Sequence, residues 1–106
     1  LGTRNSELGT RTMMYLLFYT YGANAIERRA PFREEHLGLL NSAHTTGDVV
    51  LAGAYTDPVD GAAIVFHTLA SAEAFVAADP YVKSGLVTAW KIREWNVVVG
   101  NNEPRA

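Results

Sequence analysis

The sequence lacks cysteine altogether, and it has neither a basic excess nor a long apolar run. Without cysteine the chain can form no disulfide, thiolate nucleophile or thiolate metal site, which fits a cytoplasmic location. With a net charge of -2 and scattered lysine and arginine residues, nucleic acid is not an expected partner. No apolar run approaches the roughly 20 residues that span a bilayer, so we expect no membrane partner either.

Familiar cofactor-binding and nucleophile motifs are also missing. The glycines form neither a G-x-G-x-x-G nor a Walker pattern, and no serine lies in a nucleophile-elbow context. His36 and His44 are eight residues apart, so on one helix they lie about 12 Å apart along the axis. That spacing excludes a shared zinc ion, whose ligands all lie within about 2.1 Å of the metal. We therefore expect no metal site, and we interpret His44 and His67 as surface or edge residues.

Both ends differ from the rest of the chain. Residues 1–12, LGTRNSELGTRT, repeat LGTR and show no hydrophobic pattern. We interpret them as an added or naturally disordered tail, with the natural coding sequence starting at Met13 or Met14. Residues 100–106 are interpreted as a second loose tail. The expected domain therefore covers residues 13–99.

Between these ends the hydrophobic pattern predicts six elements. Strands rich in aromatic and β-branched residues alternate with helical segments, and Gly, Pro and Asp mark the turns. The predicted order is strand 13–21, loop 22–30, helix 31–46, strand 48–56, turn 57–61, strand 62–68, helix 71–78 with Ser71 as N-cap, and strand 86–98. This β-α-β-β-α-β order predicts an α+β, ferredoxin-like fold, with two helices on one face of an antiparallel sheet.

The predicted strands do not alternate cleanly between apolar and polar residues. VVLAGAY, AAIVF and LLFY place apolar groups on both faces, which indicates that both faces are buried. Because two short helices cover only one face, the second face needs another cover. We predict a homodimer in which two sheets pack face to face.

Aromatic residues recur on the first and last strands. Tyr15, Tyr19 and Tyr21 share one face of the first strand, whereas Trp90 and Trp95 occupy opposite faces of the last. Packing is the simplest interpretation of all five, because aromatic side chains dominate cores and interfaces. The alternative is that they supply hydroxyl groups or a ring-binding wall to a pocket.

His36 lies within the apolar stripe of the first helix. At about 100° per residue, His36 falls between Phe32 and Leu40 on the helical wheel. A histidine that faces the sheet must satisfy two ring nitrogens. It is either a core residue bonded to a backbone carbonyl or an imidazole that lines a cavity, where it can transfer protons.

Two charged residues can act together with this histidine. Asp79 precedes Pro80, which disfavours a helical conformation at Asp79 and marks the end of the second helix. It is either a turn residue or a carboxylate that orients the imidazole. Arg33 lies three residues before His36 on the same side of the helix, and it is either a solvated cation or an anion contact.

The segments RAPFREEHLGLL, GDVVLAGAYTDP and SAEAFVAADPYVKSGLVTAWKIREW resemble the YCII-related family over about residues 13–98. The most specific features are the R-x-x-H of Arg33 and His36, the glycine at Gly53, and A-D-P-Y followed by a glycine. The resemblance implies a dimeric α+β barrel whose pocket holds His36 and Asp79 as a catalytic pair. The same resemblance implies that the substrate is bound by Arg33, Gly53 and Tyr81, and it implies no cofactor. A related member takes part in dechlorinating a chlorinated hydroxyquinol.

These features together predict a small cofactor-independent enzyme that acts on a small organic acid or aromatic compound. His36 is the predicted general acid or base and Asp79 its orienting group, in an isomerase, lyase or dehalogenase-like reaction. Two alternatives remain open. One is a non-catalytic small-molecule-binding or accessory module with the same pocket, and the other is an oxygen-using monooxygenase.

Overall fold

The computed structural model describes residues 12–100, which form a four-stranded antiparallel sheet and a set of helices. In chain order the elements are β1 (Thr12–Tyr21), α1 (Ala25–Arg29), a 3-10 turn (Ala30–Phe32), α2 (Arg33–Thr45), β2 (Val49–Ala54), β3 (Gly61–Phe66), α3 (Leu69–Ala78), α4 (Pro80–Lys83) and β4 (Val87–Val97). The strands lie in the order β2-β3-β1-β4, and every neighbouring pair is antiparallel. This is the arrangement of a ferredoxin-like fold, so the predicted fold class is confirmed.

The helical region before β2 departs from the prediction. Residues 22–30, expected to be a loop, contain α1, which follows Asn24 in the left-handed conformation (φ 59°). The helix expected from residue 31 begins as a 3-10 turn, and the α-helical part starts at Arg33. Pro31 has no N–H group to donate, so it interrupts the helical hydrogen bonds between the two segments.

The second predicted helix begins earlier and has a different cap. The N-cap of α3 is Thr68, whose Oγ1 accepts a 3.1 Å hydrogen bond from the Ser71 N–H. The prediction of Ser71 as the cap was therefore wrong. Threonine and serine are both preferred at this position, and the three-residue spacing between them fits a cap at Thr68 that bonds to Ser71.

The core lies between one face of the sheet and the helices. Leu17, Tyr19 and Tyr21 alternate along β1 and belong to the core, as do Ala62 and Ile64 of the neighbouring strand β3. Residues from the helices, the loops and the other strands complete the cluster: Ala25, Val49, Phe66, Ala72, Phe75, Val76, Tyr81, Leu86 and Val87. Leu39, Leu40 and Ala43 of α2 pack against this cluster, so both longer helices lie on the same face of the sheet, which we call the helix-covered face.

The opposite face of the sheet carries apolar residues that no helix of residues 12–100 covers. Leu16 pairs with Val65 and Met14 pairs with Trp95, and none of the four belongs to the core cluster. On this side Leu51 is 63% exposed, whereas Met14 and Val65 are buried within the single chain. We call this surface the open face and define it by its apolar residues: Met14, Leu16, Phe18, Leu51, Val65 and Trp95.

The cross-strand register places the two tryptophans on opposite faces, as predicted. Trp90 lies opposite Tyr19 on the helix-covered face, whereas Trp95 lies opposite Met14 on the open face. Trp90 is nonetheless 47% exposed, because β4 is an edge strand that the helices cover incompletely. Packing against the helices therefore accounts for only part of the Trp90 ring.

The predicted tails lie mostly outside the described residues. Thr12, assigned to the first tail, instead pairs with Val97, so β1 begins one residue earlier than expected. The other strand ends differ from the prediction by at most two residues. Residues 1–11 and 101–106 lie outside the described part of the chain, and the tail assignments stay predictions. Within the described part, no helix is both long and apolar enough to cross a membrane.

Candidate active site

Asp79 is positioned by the break between α3 and α4. Its backbone is extended (φ -72°, ψ 122°), as the following Pro80 favours. Asp79 is also the N-cap of α4, and its Oδ1 accepts a 3.0 Å hydrogen bond from the Tyr81 N–H. Gly85, in a left-handed conformation (φ 85°), follows the end of α4. The short helix therefore holds the carboxylate in a defined orientation.

His36 reaches the same point from α2. It is the buried residue of that helix, and its Nδ1 lies 2.8 Å from Oδ1 of Asp79. Because a carboxylate oxygen accepts hydrogen bonds, Nδ1 carries the proton and Nε2 keeps a lone pair. Nε2 makes no hydrogen bond to another residue within 12–100. The arrangement leaves one nitrogen of the imidazole available for a ligand.

A third hydrogen bond to Asp79 comes from β1. The hydroxyl of Tyr19 donates to Oδ2 of Asp79 at 2.7 Å. Oδ1 accepts from both His36 and the Tyr81 N–H, so each oxygen of the fully buried carboxylate has a donor. A buried carboxylate without such partners is strongly unfavourable. These donors explain how Asp79 can lie inside the core.

The imidazole of His36 lies between two aromatic rings. The ring of Tyr81 stacks on it, with centroids 3.7 Å apart and planes at 6°. Phe75 contacts it in a tilted, edge-on arrangement with centroids 6.0 Å apart. A stacked phenol stabilises a protonated imidazole through a cation–π interaction. Both rings also restrict rotation of the imidazole.

Two tyrosine hydroxyls of the site are held in their protonated form. Burial, with the nearby Asp79 carboxylate, raises the pKa of Tyr19 far above its ordinary value. Burial also raises the pKa of Tyr81, and the charges of Arg29 and Arg33 oppose that rise. The Tyr19 hydroxyl therefore stays a donor to Asp79 at neutral pH.

A cavity of about 360 Å³ lies between α2 and β2 and is lined in part by His36. Most of its lining is apolar, from residues such as Leu37, Leu40 and Ile64. The polar side chains of the lining are those of Tyr21, Arg29, Arg33, His36, Tyr55, Thr56 and Tyr81. An apolar cavity of this size with a few polar groups fits a small organic molecule.

The structure brings the predicted site residues together. Arg33, His36, Gly53 and Tyr81 line the cavity, and Asp79 lies behind His36 without lining it. Gly53 contributes only its backbone, and a Cβ built there meets no atom within 4 Å. The catalytic and substrate-binding roles of these residues stay predictions.

Sequence reasoning did not assign three residues of the site: Tyr19, Tyr21 and Arg29. The sequence places the two tyrosines on one strand face, with packing as the simplest interpretation and a pocket hydroxyl as the alternative. Their alternation along β1 was the available signal, because residues two apart point to the same side. Arg29 gave no signal, since its segment was expected to be a loop and α1 is what places it at the cavity.

No three His, Asp or Glu side chains among residues 12–100 come close enough together to hold a metal ion. His44 and His67 are exposed, and neither lines the cavity. This agrees with their interpretation as surface residues. The prediction that the protein uses no metal or organic cofactor stays a prediction.

The fold and the site define a class of protein: a ferredoxin-like α+β domain with a buried histidine–aspartate pair beside a small cavity. The chain belongs to the YCII-related family, since the family model for the YCII-related domain matches residues 13–96. The family resemblance noted from the sequence is therefore confirmed.

Curated relatives and a solved structure agree with this assignment. The chain is 31% identical to Protein YciI of Escherichia coli O6:H1 over 85 residues, which cover 70% of this chain and 87% of that protein. Protein YciI of Shigella flexneri matches with the same values. The fold is similar to 5-chloro-2-hydroxyhydroquinone dehydrochlorinase from Burkholderia phenoliruptrix AC1100 in complex with 2,5-dihydroxybenzoquinone. That likeness has a TM-score of 0.65 at 17% identity and covers 77% of this chain and 92% of the other.

Proposed function

We propose that the protein is a small cofactor-independent enzyme that performs acid–base chemistry on a small organic acid or aromatic compound. One observation carries the proposal: His36 Nδ1 lies 2.8 Å from the buried Asp79, while Nε2 has no protein partner among residues 12–100 and His36 lines a cavity. A hydrogen bond on one nitrogen fixes the tautomer and leaves the other as a base. His36 is the proposed general base and acid, and Asp79 is the residue that orients it.

In the first step, Nε2 of His36 removes a proton from a C–H or O–H bond of the substrate. The electron pair of that bond stays on the substrate, and the imidazole becomes an imidazolium. The carboxylate of Asp79 at 2.8 Å and the stacked ring of Tyr81 stabilise this positive charge. Arg33, at the wall of the cavity, stabilises the negative charge that develops on the substrate.

The second step decides the type of reaction. In an isomerase, His36 returns the proton to a different atom of the substrate. In a lyase or dehalogenase, the electron pair left on the substrate forms a new π bond. The leaving group X departs with the electron pair of the C–X bond, so the substrate loses HX overall. The dehydrochlorinase of similar fold is named for such a loss, which supports the elimination branch as a proposal for this chain.

Tyr19 acts on the reaction through Asp79 and not through the substrate. Its hydroxyl occupies Oδ2 of Asp79, which leaves Oδ1 for His36 and the Tyr81 N–H. Without Tyr19, Oδ2 would lose its only protein donor among residues 12–100, and the carboxylate could turn. Tyr19 is therefore proposed as a positioning residue for the acid–base pair.

We also propose that the protein is a cytoplasmic homodimer, with two open faces packed against each other. The apolar residues of the open face and the 63% exposure of Leu51 support the dimer. The lack of cysteine is compatible with a reducing compartment. The expected partner besides a second copy is a small molecule bound in the cavity.

A comparison of two histidine variants on the same helix tests the proposed function. Candidate substrates are chlorinated hydroxyquinols, hydroxyquinones and small unsaturated acids, with product formation followed by chromatography. On a substrate that the parent protein converts, His36→Ala is expected to lower kcat on the order of 10²–10⁴-fold, because proton transfer loses its base. His44→Ala, which changes an exposed histidine of α2, serves as the matched control and should retain parental activity.

The competing functions give different results in the same assay. A ligand that binds the parent protein without product after hours, and whose affinity falls in His36→Ala, supports the binding-module alternative. Oxygen consumption with quinol substrates supports the monooxygenase alternative. Equal turnover by the parent and by His36→Ala excludes His36 as the acid–base group.

A further inference from the structure

Four residues of the cavity lining form a group whose role the acid–base proposal explains only in part. Tyr21 ends β1, Arg29 ends α1, Arg33 begins α2 and Tyr81 lies in α4, and all four line the cavity. The rings of Tyr21 and Tyr81 meet edge to face, with centroids 6.1 Å apart. We call these four residues the arginine–tyrosine wall.

The two phenols of the wall are buried, yet their hydroxyls donate to no protein group of the described segment. Tyr21 is 7% exposed and Tyr81 is 1% exposed. Within residues 12–100 neither hydroxyl donates a hydrogen bond, whereas Tyr19, two residues before Tyr21 on the same strand face, donates to Asp79. A buried donor that is left unused is unfavourable. These two hydroxyls are therefore suited to an acceptor that enters the cavity.

The two arginines of the wall have no carboxylate partner in the described segment. No Asp or Glu oxygen of residues 12–100 lies within 4 Å of Arg29 or Arg33. Burial, followed by the neighbouring Tyr81, raises the pKa of Tyr21 to about 12, and the charges of both arginines oppose that rise. At neutral pH the wall thus presents two cations and two protonated hydroxyls to the cavity.

The formal charges around the cavity indicate which ligand charge the site favours. The cavity is lined by Arg29 and Arg33 and by no acidic side chain, whereas Asp79 lies behind His36 and is hydrogen-bonded by protein donors. A dianion therefore matches the two guanidinium charges that face it, and a monoanion leaves one of them without a counter-charge. Next to apolar side chains these attractions are stronger than they are in bulk water.

We propose that the arginine–tyrosine wall binds two acidic oxygens of one small conjugated molecule, so that the cavity selects dianions over monoanions and neutral isosteres. The catalytic meaning of this inference rests on the proposed function of His36, whereas the binding preference does not. Dicarboxylates and dihydroxyquinones share the required chemistry, because both carry two acidic oxygens on a conjugated frame. Arg29 and Tyr21 then become substrate-binding residues next to Arg33 and Tyr81.

Two matched ligand series test this preference by isothermal titration calorimetry at neutral pH. One series is maleate with its monomethyl and dimethyl esters, and the other is 2,5-dihydroxybenzoquinone with its monomethyl and dimethyl ethers. In at least one series we expect the dianion to bind on the order of 10- to 100-fold more tightly than the monoanion, because it gains a further charge-assisted contact. The series that binds more tightly shows whether the two acidic oxygens belong to a dicarboxylate or to a dihydroxyquinone.

Variants of two neighbouring arginines test which residue causes the preference for the dianion. Arg29→Gln is expected to abolish most of the preference for the dianion. Arg28→Gln removes the same charge from an exposed residue of α1 that does not line the cavity, and it should keep the preference. Tyr21→Phe should weaken dianion binding on the order of 10-fold through loss of a hydroxyl donor. Thermal melting of each variant verifies that the fold is intact.

The failure of this inference and the failure of the proposed function can be told apart. The titrations are repeated with His36→Ala, in which the dianion preference should persist because binding needs no proton transfer. A preference for dianions without turnover of any substrate contradicts the proposed enzyme but supports the wall. Equal affinity for dianion and monoanion in the parent, equal losses in Arg28→Gln and Arg29→Gln, or no dianion binding in either series overturns the inference.

Discussion

The helix-covered face of the sheet buries polar groups, whereas the open face leaves some of its apolar side chains exposed. On the covered face, Asp79, His36 and Tyr19 lie inside an apolar core, and each is hydrogen-bonded to another member of the trio. On the open face, Leu51 and Trp95 are 63% and 45% exposed. Both faces are built from alternate residues of the same four strands.

This difference shows where the sequence departs from the simple rule that apolar residues lie inside and polar residues outside. A buried polar group is tolerated only when it has partners, and the partners of Asp79 come from three separate elements. An exposed apolar surface is typical of an association site. Each departure therefore marks a candidate function: proton transfer on the covered face and pairing on the open face.

A positive charge introduced on the open face is expected to have a larger effect than any change on the covered face. Leu51→Arg is expected to weaken dimerisation on the order of 10²-fold, or about 3 kcal/mol, because an unpaired guanidinium would be buried in an apolar interface. Sedimentation equilibrium over a range of protein concentrations measures this change. The variant should remain folded, because in the single chain Leu51 lies mostly in solvent.

The matched control places the same charge on the other side of the molecule. Leu69 is 43% exposed at the start of α3, so Leu69→Arg should leave the dimer intact. A parent protein that is monomeric at micromolar concentration contradicts the proposed role of the open face. So does equal dissociation of the two arginine variants.

The covered face is expected to have a smaller effect, which is a loss of folding stability at alkaline pH. Burial raises the pKa of Tyr19, of Tyr81 and of Tyr21, the last to about 12, whereas tyrosine in an unfolded chain titrates near pH 10. Above about pH 10 the unfolded chain therefore releases protons that the folded chain keeps. For Tyr19, the free energy of unfolding should fall by about 1.4 kcal/mol per pH unit above about pH 10, and this stability is fully present only below that pH.

Tyr19→Phe isolates one of these groups. Urea unfolding between about pH 8 and pH 11 should show a slope that is shallower by about 1.4 kcal/mol per pH unit than the parental slope at the alkaline end. The open-face variant Leu51→Arg removes no phenol and should keep the parental slope when both proteins are compared as monomers. An unchanged slope in Tyr19→Phe would mean that this hydroxyl titrates alike in the folded and unfolded chains.

Much of the covered face was predictable from the sequence because its signals are local. The 3.6-residue period of α2 turns His36 inward, and Pro80 fixes an extended backbone at Asp79. Strand patterns and turn residues also predicted the order of the elements, which determines the topology. These features depend on residues close together in the chain.

The remaining features of the site depend on contacts between distant segments. The hydrogen bond from Tyr19 to Asp79 joins residues 60 positions apart, and no local pattern indicates that it forms. Arg29 gives no signal for a related reason, because the sequence of α1 predicts a loop and Pro31 predicts the start of a single long helix. Thr68 displaced Ser71 as the cap because propensity alone ranks the two residues closely.

The most direct test concerns the tautomer of His36, which can be read from long-range 1H–15N correlation spectra of the imidazole rings. We predict that neutral His36 carries its proton on Nδ1 and leaves Nε2 unprotonated, because Nδ1 donates to Asp79 at 2.8 Å. Asp79→Asn should reduce the population of this tautomer, since its amide group can donate to Nδ1. A proton on Nε2 in the parent protein, or a mixture of tautomers like that of the exposed His44, would contradict the proposed acid–base pair.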